Sequence, residues 1–351
     1  MKTAKADNMV QENVFDDTVE NYELAPRHNS VAAVRESASE QVKALSRVNN
    51  LRFLRDLSLQ WLIIIAAIGG AIWSGHLLAF VVAIIVIASR QHALGILMHD
   101  GTHYRLLTNR TLNNAVSDLF CALPVGMLTS RYQYEHRLHH RFLNTDRDPY
   151  WLEFEKDSDW HWPKRKLEAI KVFVRDLLGI NMRAMAPVLY RWSPWANHFS
   201  QKDAPPALTI GERLRVYGFY GALAVGLTLS HGWIYFLVLW MLPLSTLVIA
   251  FIRIRTVGEH LAIANETELN ASRHTDATLL ERWTICPFNI NYHLDHHLFP
   301  SVPYYNLPQL HKVLLKNDEY RSHALLYDTY LGPGRSVLQD MIKVSVSPSS
   351  P

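Results

Sequence analysis

Two long stretches of this 351-residue chain contain no Asp, Glu, Lys or Arg: Leu57 to Ser89 and Val216 to Ile252. Nothing else in the sequence restricts the fold as strongly. One bilayer crossing takes about 20 residues, so each stretch is too long for a single span and suits a tight pair. Each also has a small polar break near its middle, Trp73-Ser74-Gly75-His76 in the first and Ser230-His231-Gly232-Trp233 in the second. The pattern predicts four transmembrane helices in two hairpins, at about 58–74, 77–97, 214–230 and 233–252. Buried hairpins in a soluble helical protein are the competing arrangement. Soluble domains are about 25% charged and rarely carry uncharged runs this long, so composition disfavours it. The mean hydropathy of -0.04 hides the pattern by averaging polar and apolar blocks.

Charge sets the expected orientation. Neither inter-helix turn carries Lys or Arg, whereas the segments before, between and after the hairpins carry nearly all of them. The positive-inside rule then places both termini and the middle region in the cytoplasm. The polar first 26 residues lack an apolar run behind a basic start, so no secretory signal is expected. Residues 1–30 read as a disordered polar N-terminus, 31–340 as a single membrane domain and 341–351 as a loose tail. A charged helix over roughly 31–56 leads to the membrane, and residues 111–129 are too short in charge-free length to cross, which suits the interface. Cys121 and Cys286 fall on the cytosolic side and read as small apolar residues. A net charge of +3 gives no argument for nucleic acid. Between 160 and 192 basic and apolar residues alternate, which suits either anionic headgroups or an acidic redox partner.

Eight histidines fall in three windows: His99 and His103; His136, His139 and His140; His293, His296 and His297. Spacings of three and four put side chains on one face of a helix, and imidazole is a common metal ligand. The first window offers a pair, and each of the others a triad expected to face one point. Eight ligands exceed what one ion needs, so two metals are implied. His260, about two turns past the fourth predicted span, is a ninth candidate. Imidazole accepts zinc, copper, iron and nickel, so ligand type alone does not name the metal. Zinc hydrolysis normally combines three protein ligands, an open position and a carboxylate base. Here Asp100, Glu135, Glu259 and Asp295 each adjoin a histidine. They suit either hydrogen bonds to ligands from other segments or salt bridges to arginines. Asp146 and Asp148 read as helix-ending residues. His92 is placed to line the site or donate a hydrogen bond. His76 and His231 lie at the far turns, and His274 and His311 lack ligand spacing to the third window.

The three windows resemble the HxxxH, HxxHH and HxxHH boxes of the membrane fatty acid desaturase and hydroxylase superfamily. The likeness runs from about Arg90 to His311. It is most specific in Asn289-Ile290-Asn291-Tyr292-His293-Leu294-Asp295-His296-His297-Leu298-Phe299-Pro300, followed by Val302-Pro303-Tyr304-Tyr305. That start is similar to bacterial-type acyl desaturases, which points to a bacterial inner membrane rather than the endoplasmic reticulum. The resemblance implies an all-α membrane protein with four spans and a cytosolic helical cap. It also implies a non-haem di-iron centre, molecular oxygen as co-substrate, and hydrogen removal from a lipid acyl chain. The eight box histidines are then iron ligands, and His260 matches an additional one after the last span. Some members hold a metal-bound water with an Asn one turn before that histidine, where this chain has Thr256. The sequence contains no His-Pro-Gly-Gly haem motif. A separate electron donor is therefore expected, a ferredoxin or a b-type cytochrome with its reductase.

The expected function is an oxygen-dependent acyl-lipid desaturase. A carotenoid ketolase or hydroxylase is the nearest alternative, because Asn144-Thr145-Asp146-Arg147-Asp148-Pro149 resembles the ketolase sequence after the second box. A metal transporter would place its ligands inside the spans, whereas these lie at and beyond the span ends.

Overall fold

The computed structural model describes residues 31–196 and 207–342. The N-terminus expected to be disordered (1–30) and nearly all of the expected tail lie outside the described residues. Helix α1 (Ala32–Leu45) ends before the chain reaches the membrane region. The single helix expected over 31–56 is therefore two. Asn49 takes an extended conformation and its side chain accepts the Arg52 N–H at 3.0 Å, starting a new helix at Asn50.

Helices α2 (Asn50–Ser74) and α3 (Leu77–Thr102) form an antiparallel hairpin. Gly75 turns the corner at φ 65°, a left-handed conformation that glycine adopts without a Cβ clash, and its N–H donates to the Ala71 carbonyl. The two helices pack through Phe53, Leu57, Ile64, Ile87, Leu94 and Leu97. Their other faces expose rows of apolar residues, including Leu59, Leu62, Ile65, Leu78, Val82 and Ile85. At about 1.5 Å per residue each helix outreaches the roughly 30 Å hydrocarbon core, so α3 projects its end past the span.

Next comes α4 (Arg110–Ser117), followed by a π turn at Asp118–Ala122 and a 3-10 turn at Leu123–Val125. Cys121, Ala122, Leu123 and Val125 are buried against α3, so this part of 111–129 is core rather than interface. Four shorter helices follow: α5 (Thr129–Phe142), α6 (Pro149–Lys156), α7 (Lys166–Leu177) and α8 (Met182–Trp192).

Helix α9 (Ile210–Leu229) and the long helix α10 (Trp233–His260) occupy the second charge-free stretch. Helix α10 contains a π turn at Leu237–Met241 and a break at Thr246. Among the described residues three helices are long and apolar enough to cross a membrane: α2, α3 and α10. The third expected span, α9, is helical, but its first two turns carry Glu212, Arg213 and Arg215. Arg215 is tied at 2.9 Å to the buried Asp118.

Beyond α10, strand β1 (Arg273–Thr275) precedes α11 (Leu279–Thr284), α12 (His293–Leu298), α13 (Leu307–Leu314) and α14 (Asp318–His323). Strand β2 (Leu325–Tyr327) pairs in parallel with β1, and α15 (Val337–Met341) closes the described chain. Buried Arg273 braces the end of α10, donating to the carbonyls of Val257, Leu261 and Ala262 at 2.7–2.8 Å. Helix ends leave such carbonyls without partners, and here a guanidinium supplies them.

Candidate metal centre

Four helices deliver the nine expected histidines to one place. His99 is in the last turn of α3 and His103 is the residue that ends it. His136, His139 and His140 come from α5, His260 from the last turn of α10, and His293, His296 and His297 from α12. The helix expected to run on from the second span into the first histidine window is present, as is the extension of the last span to His260.

The nine divide into two groups: His99, His103, His136, His140 and His296, and His139, His260, His293 and His297. Within each group the candidate ligand atoms lie within 4.8 Å of one another. Each triad, expected to face one point, instead sends members to both groups. The reason is helical: residue i+4 lies about 40° from residue i, whereas i+3 lies about 60° to the other side. His136 and His140 therefore share a target while His139 turns to the second. His293 and His297 pair in the same way, and His296 turns to the first.

The donor geometry fits bound cations. Nε2–Nε2 separations are 3.0 Å for His103–His136 and His136–His140, 2.8 Å for His260–His293 and 3.1 Å for His293–His297. Two donors about 2.1 Å from a shared ion and at right angles to it stand about 3 Å apart. Buried His99 Nε2 has no hydrogen-bond partner, an orphan that an ion would satisfy. Burial, reinforced by neighbouring imidazoles, holds His103, His136, His140, His293, His296 and His297 well below the ordinary imidazole range. They are neutral at pH 7, as ligation requires.

The adjoining carboxylates do different work from one another. Glu135 accepts from Arg191 and Trp192, both at 2.7 Å, and is a structural tie. Asp100 accepts the Tyr304 N–H at 2.8 Å and stands 3.5 Å from His99 Nδ1. Glu259 pairs with Arg255 at 3.1 Å and stands 3.6 Å from His293 Nδ1. Asp295 is held by His311 at 2.8 Å and by the Tyr320 hydroxyl. His274, His311 and Asp295 form a further cluster. However, the two rings lie nearly parallel with centroids 3.8 Å apart, so their lone pairs run side by side instead of converging.

Sequence reasoning missed part of the role of Asp148. Expected to end the second histidine helix, it instead starts α6, accepting the Tyr150 N–H at 2.9 Å. Its other oxygen, fully buried, also lies 2.9 Å from His139 Nδ1. That bond keeps the proton on Nδ1 and leaves Nε2 as donor atom. Tyr132 and Tyr150 were missed too, although Tyr132 lies four residues before His136 on the same helical face. Their rings stack on His136 and His139, with centroids 5.2 and 4.5 Å apart. His92 lines the site as expected, with Nδ1 2.9 Å from the Thr284 carbonyl, and is not among the nine. His76 and His231 stay at the far turns, exposed.

A cavity of about 580 Å³ opens beside the histidines and touches His99, His136, His139, His260 and His293. Its walls are mainly apolar, with Met98, Val125, Met185, Leu189, Leu244 and Ile249 among them. Clustered imidazoles able to bind metal thus border an apolar cavity.

The fatty acid desaturase family model matches residues 42–330, and the chain belongs to that family. It is accordingly an oxidoreductase. The chain is 26% identical to dihydrorhizobitoxine desaturase of Bradyrhizobium elkanii, over 69% of each chain. It is also 26% identical to the human sphingolipid delta(4)-desaturase/C4-monooxygenase, covering 66% of this chain and 64% of the relative. Identity to the chloroplastic omega-6 fatty acid desaturase of Glycine max is 24%, covering 62% and 52% respectively. The chain thus spans between about half and two thirds of the length of these relatives.

Proposed function

We propose that this protein is an oxygen-dependent acyl-lipid desaturase whose nine histidines hold two iron ions. One observation carries the reading: imidazoles in groups of five and four border an apolar cavity in a chain of the desaturase family. When bound, the iron pair supplies the oxidising power to break an unactivated C–H bond, drawing on molecular oxygen and two electrons. A separate ferredoxin or b-type cytochrome with its reductase delivers those electrons.

The chain's own residues do the rest. Asp148 fixes the tautomer of His139, and the Tyr132 and Tyr150 rings fix the planes of His136 and His139. A methylene offers no polar handle, so the apolar walls select substrate by shape and exclude water. Four spans, with both termini and the metal centre on the cytoplasmic side of a bacterial inner membrane, complete the proposal. The aromatic residues support it. Trp73 and Trp233 sit exposed at the two far turns, while Trp195 and Tyr217 cluster near the charged start of α9. That distribution matches a belt at each interface.

Hydroxylation of the same carbon is the second reading, favoured by the human relative, whose name carries both activities. The test is expression in a host without desaturases, with lipids profiled by mass spectrometry under air and without oxygen. New double bonds that need oxygen and vanish in His296→Ala support desaturation, and a new hydroxyl group supports the second reading. Unchanged lipids would falsify both.

A further inference from the structure

We propose that α7 lies in the membrane–water interface, its outward apolar stripe in the acyl boundary and its flanking lysines on anionic lipid headgroups. The helix has 12 residues, about 18 Å, and is too short to cross. One face is inside the protein: Ala169, Val172 and Asp176 are buried. Asp176 takes part in a buried ion pair with Arg253 of α10, at 2.6 and 2.9 Å. That pairing fixes the rotation of α7 about its axis.

With the rotation fixed, the outward face is defined. Leu167, Ile170, Val174, Leu177 and Leu178 fall within a sector of about 100°, opposite the buried face. Their exposures run from 46 to 67%. Lys166 and Lys171 border the sector, one on each side, and both are exposed. Arg175 is not free to join them, because Asp159 holds its guanidinium at 2.6 Å. An apolar stripe between two lysines is the pattern of a helix lying in the interface plane, its stems reaching up to headgroup phosphates.

The placement of α7 against the last span points to the occupant of the stripe. The end of α7 runs into Gly179, whose Cα approaches α10 so closely that an added Cβ would stand 3.4 Å from the Ser245 carbonyl oxygen. Ser245 adjoins the break in the last span. Toward the far side of that break α10 exposes Leu237 and Leu242, inside the charge-free stretch. The stripe on α7, continued by exposed Ile180, thus runs up to a helix long and apolar enough to cross a membrane, at a point where that helix also exposes apolar residues. Two lysines around five apolar side chains suit an anionic bilayer surface. An acidic soluble protein would have to cover the apolar centre instead.

There is a consequence for access to the cavity. Helix α8 follows within a few residues, and its Met182, Met185, Ala186 and Leu189 form part of the cavity wall. The wall is therefore carried by a segment anchored at headgroup depth.

The test uses the full chain in vesicles of phosphatidylcholine, with and without phosphatidylglycerol. Ile170→Cys, Val174→Cys and, as the flank control, Glu168→Cys are labelled singly with an environment-sensitive fluorophore. Native Cys121 and Cys286 are buried and contribute little label. The expected result is blue-shifted emission at 170 and 174, quenched by nitroxides attached near the lipid headgroup, with 168 quenched by aqueous iodide. In Lys166→Glu with Lys171→Glu, the gain in lipid quenching on adding phosphatidylglycerol should disappear. Iodide quenching of 170 and 174 equal to that of 168 overturns the proposal. So does self-quenching that grows with copies per vesicle, or protection that needs an added acidic redox protein. A phosphatidylglycerol effect that survives the charge reversal removes the role of the lysines.

Discussion

At the scale of single residues, the assignment of histidines to two groups makes unequal demands. The first group has five members and the second four. His260→Ala leaves three imidazoles in the second group, whereas His103→Ala leaves four in the first. We expect purified His260→Ala to retain clearly less iron than His103→Ala, measured by atomic emission per protein chain. Equal losses would contradict the division. Asp148→Ala frees the His139 ring, and removing such a partner typically lowers metal affinity about 10–100-fold. Asp148→Asn keeps an acceptor and should fall between Ala and the wild type in the same assay. Eight of the nine positions were marked by helical spacing, and His260 by its place about two turns past the last predicted span. Which group each joins was not legible, because it depends on where α5 and α12 stand relative to one another. Asp148 was only partly legible: its turn-rich surroundings marked a helix boundary, but it starts α6 rather than ending α5, and its approach to His139 is a tertiary contact nine residues away.

Among the elements, the Arg253–Asp176 pair, both side chains buried, ties α7 to α10. Asp176→Ala would leave a guanidinium unpaired inside the protein, a change that typically costs about 3–5 kcal/mol. The expected outcome is a clear drop in the Tm of the detergent-solubilised protein. An unchanged Tm would mean that the pair carries no stability. Gly258 shows how tightly α10 is packed: a Cβ there would lie 2.5 Å from the Tyr330 ring. Gly258→Ala must displace that ring and with it the β2–α15 segment. Hydropathy located α2, α3 and α10 because lack of charge is a property of sequence alone. It did not reveal the π turn or the break at Thr246, since every residue there is equally acceptable to lipid. For α9, the predicted start at 214 falls inside a helix whose first turns are charged.

For the whole molecule, the proposed topology puts His76 and His231 on the opposite side of the membrane from the metal centre. Cysteines placed at these exposed turns should react with an impermeant thiol reagent only from outside intact cells. Labelling from the cytoplasmic side alone would invert the arrangement. The cavity gives a second prediction at this scale. Filling it by Leu244→Trp should shift product chain length toward shorter acyl groups without loss of bound iron, read by lipid mass spectrometry together with metal analysis. A uniform loss of all products with iron intact would mean that Leu244 does not limit substrate length.

Helices α5 and α12 each divide their three histidines between the two groups, in opposite proportions. Neither helix can be positioned for one ion without being positioned for the other. Filling of the centre is then expected to be all-or-none. A titration of metal-free protein with ferrous iron should rise sigmoidally, and partly filled samples should be mixtures of empty and full molecules. The crosswise arrangement would thereby keep a lone redox-active iron, able to reduce oxygen without a partner, from persisting beside the lipid chain.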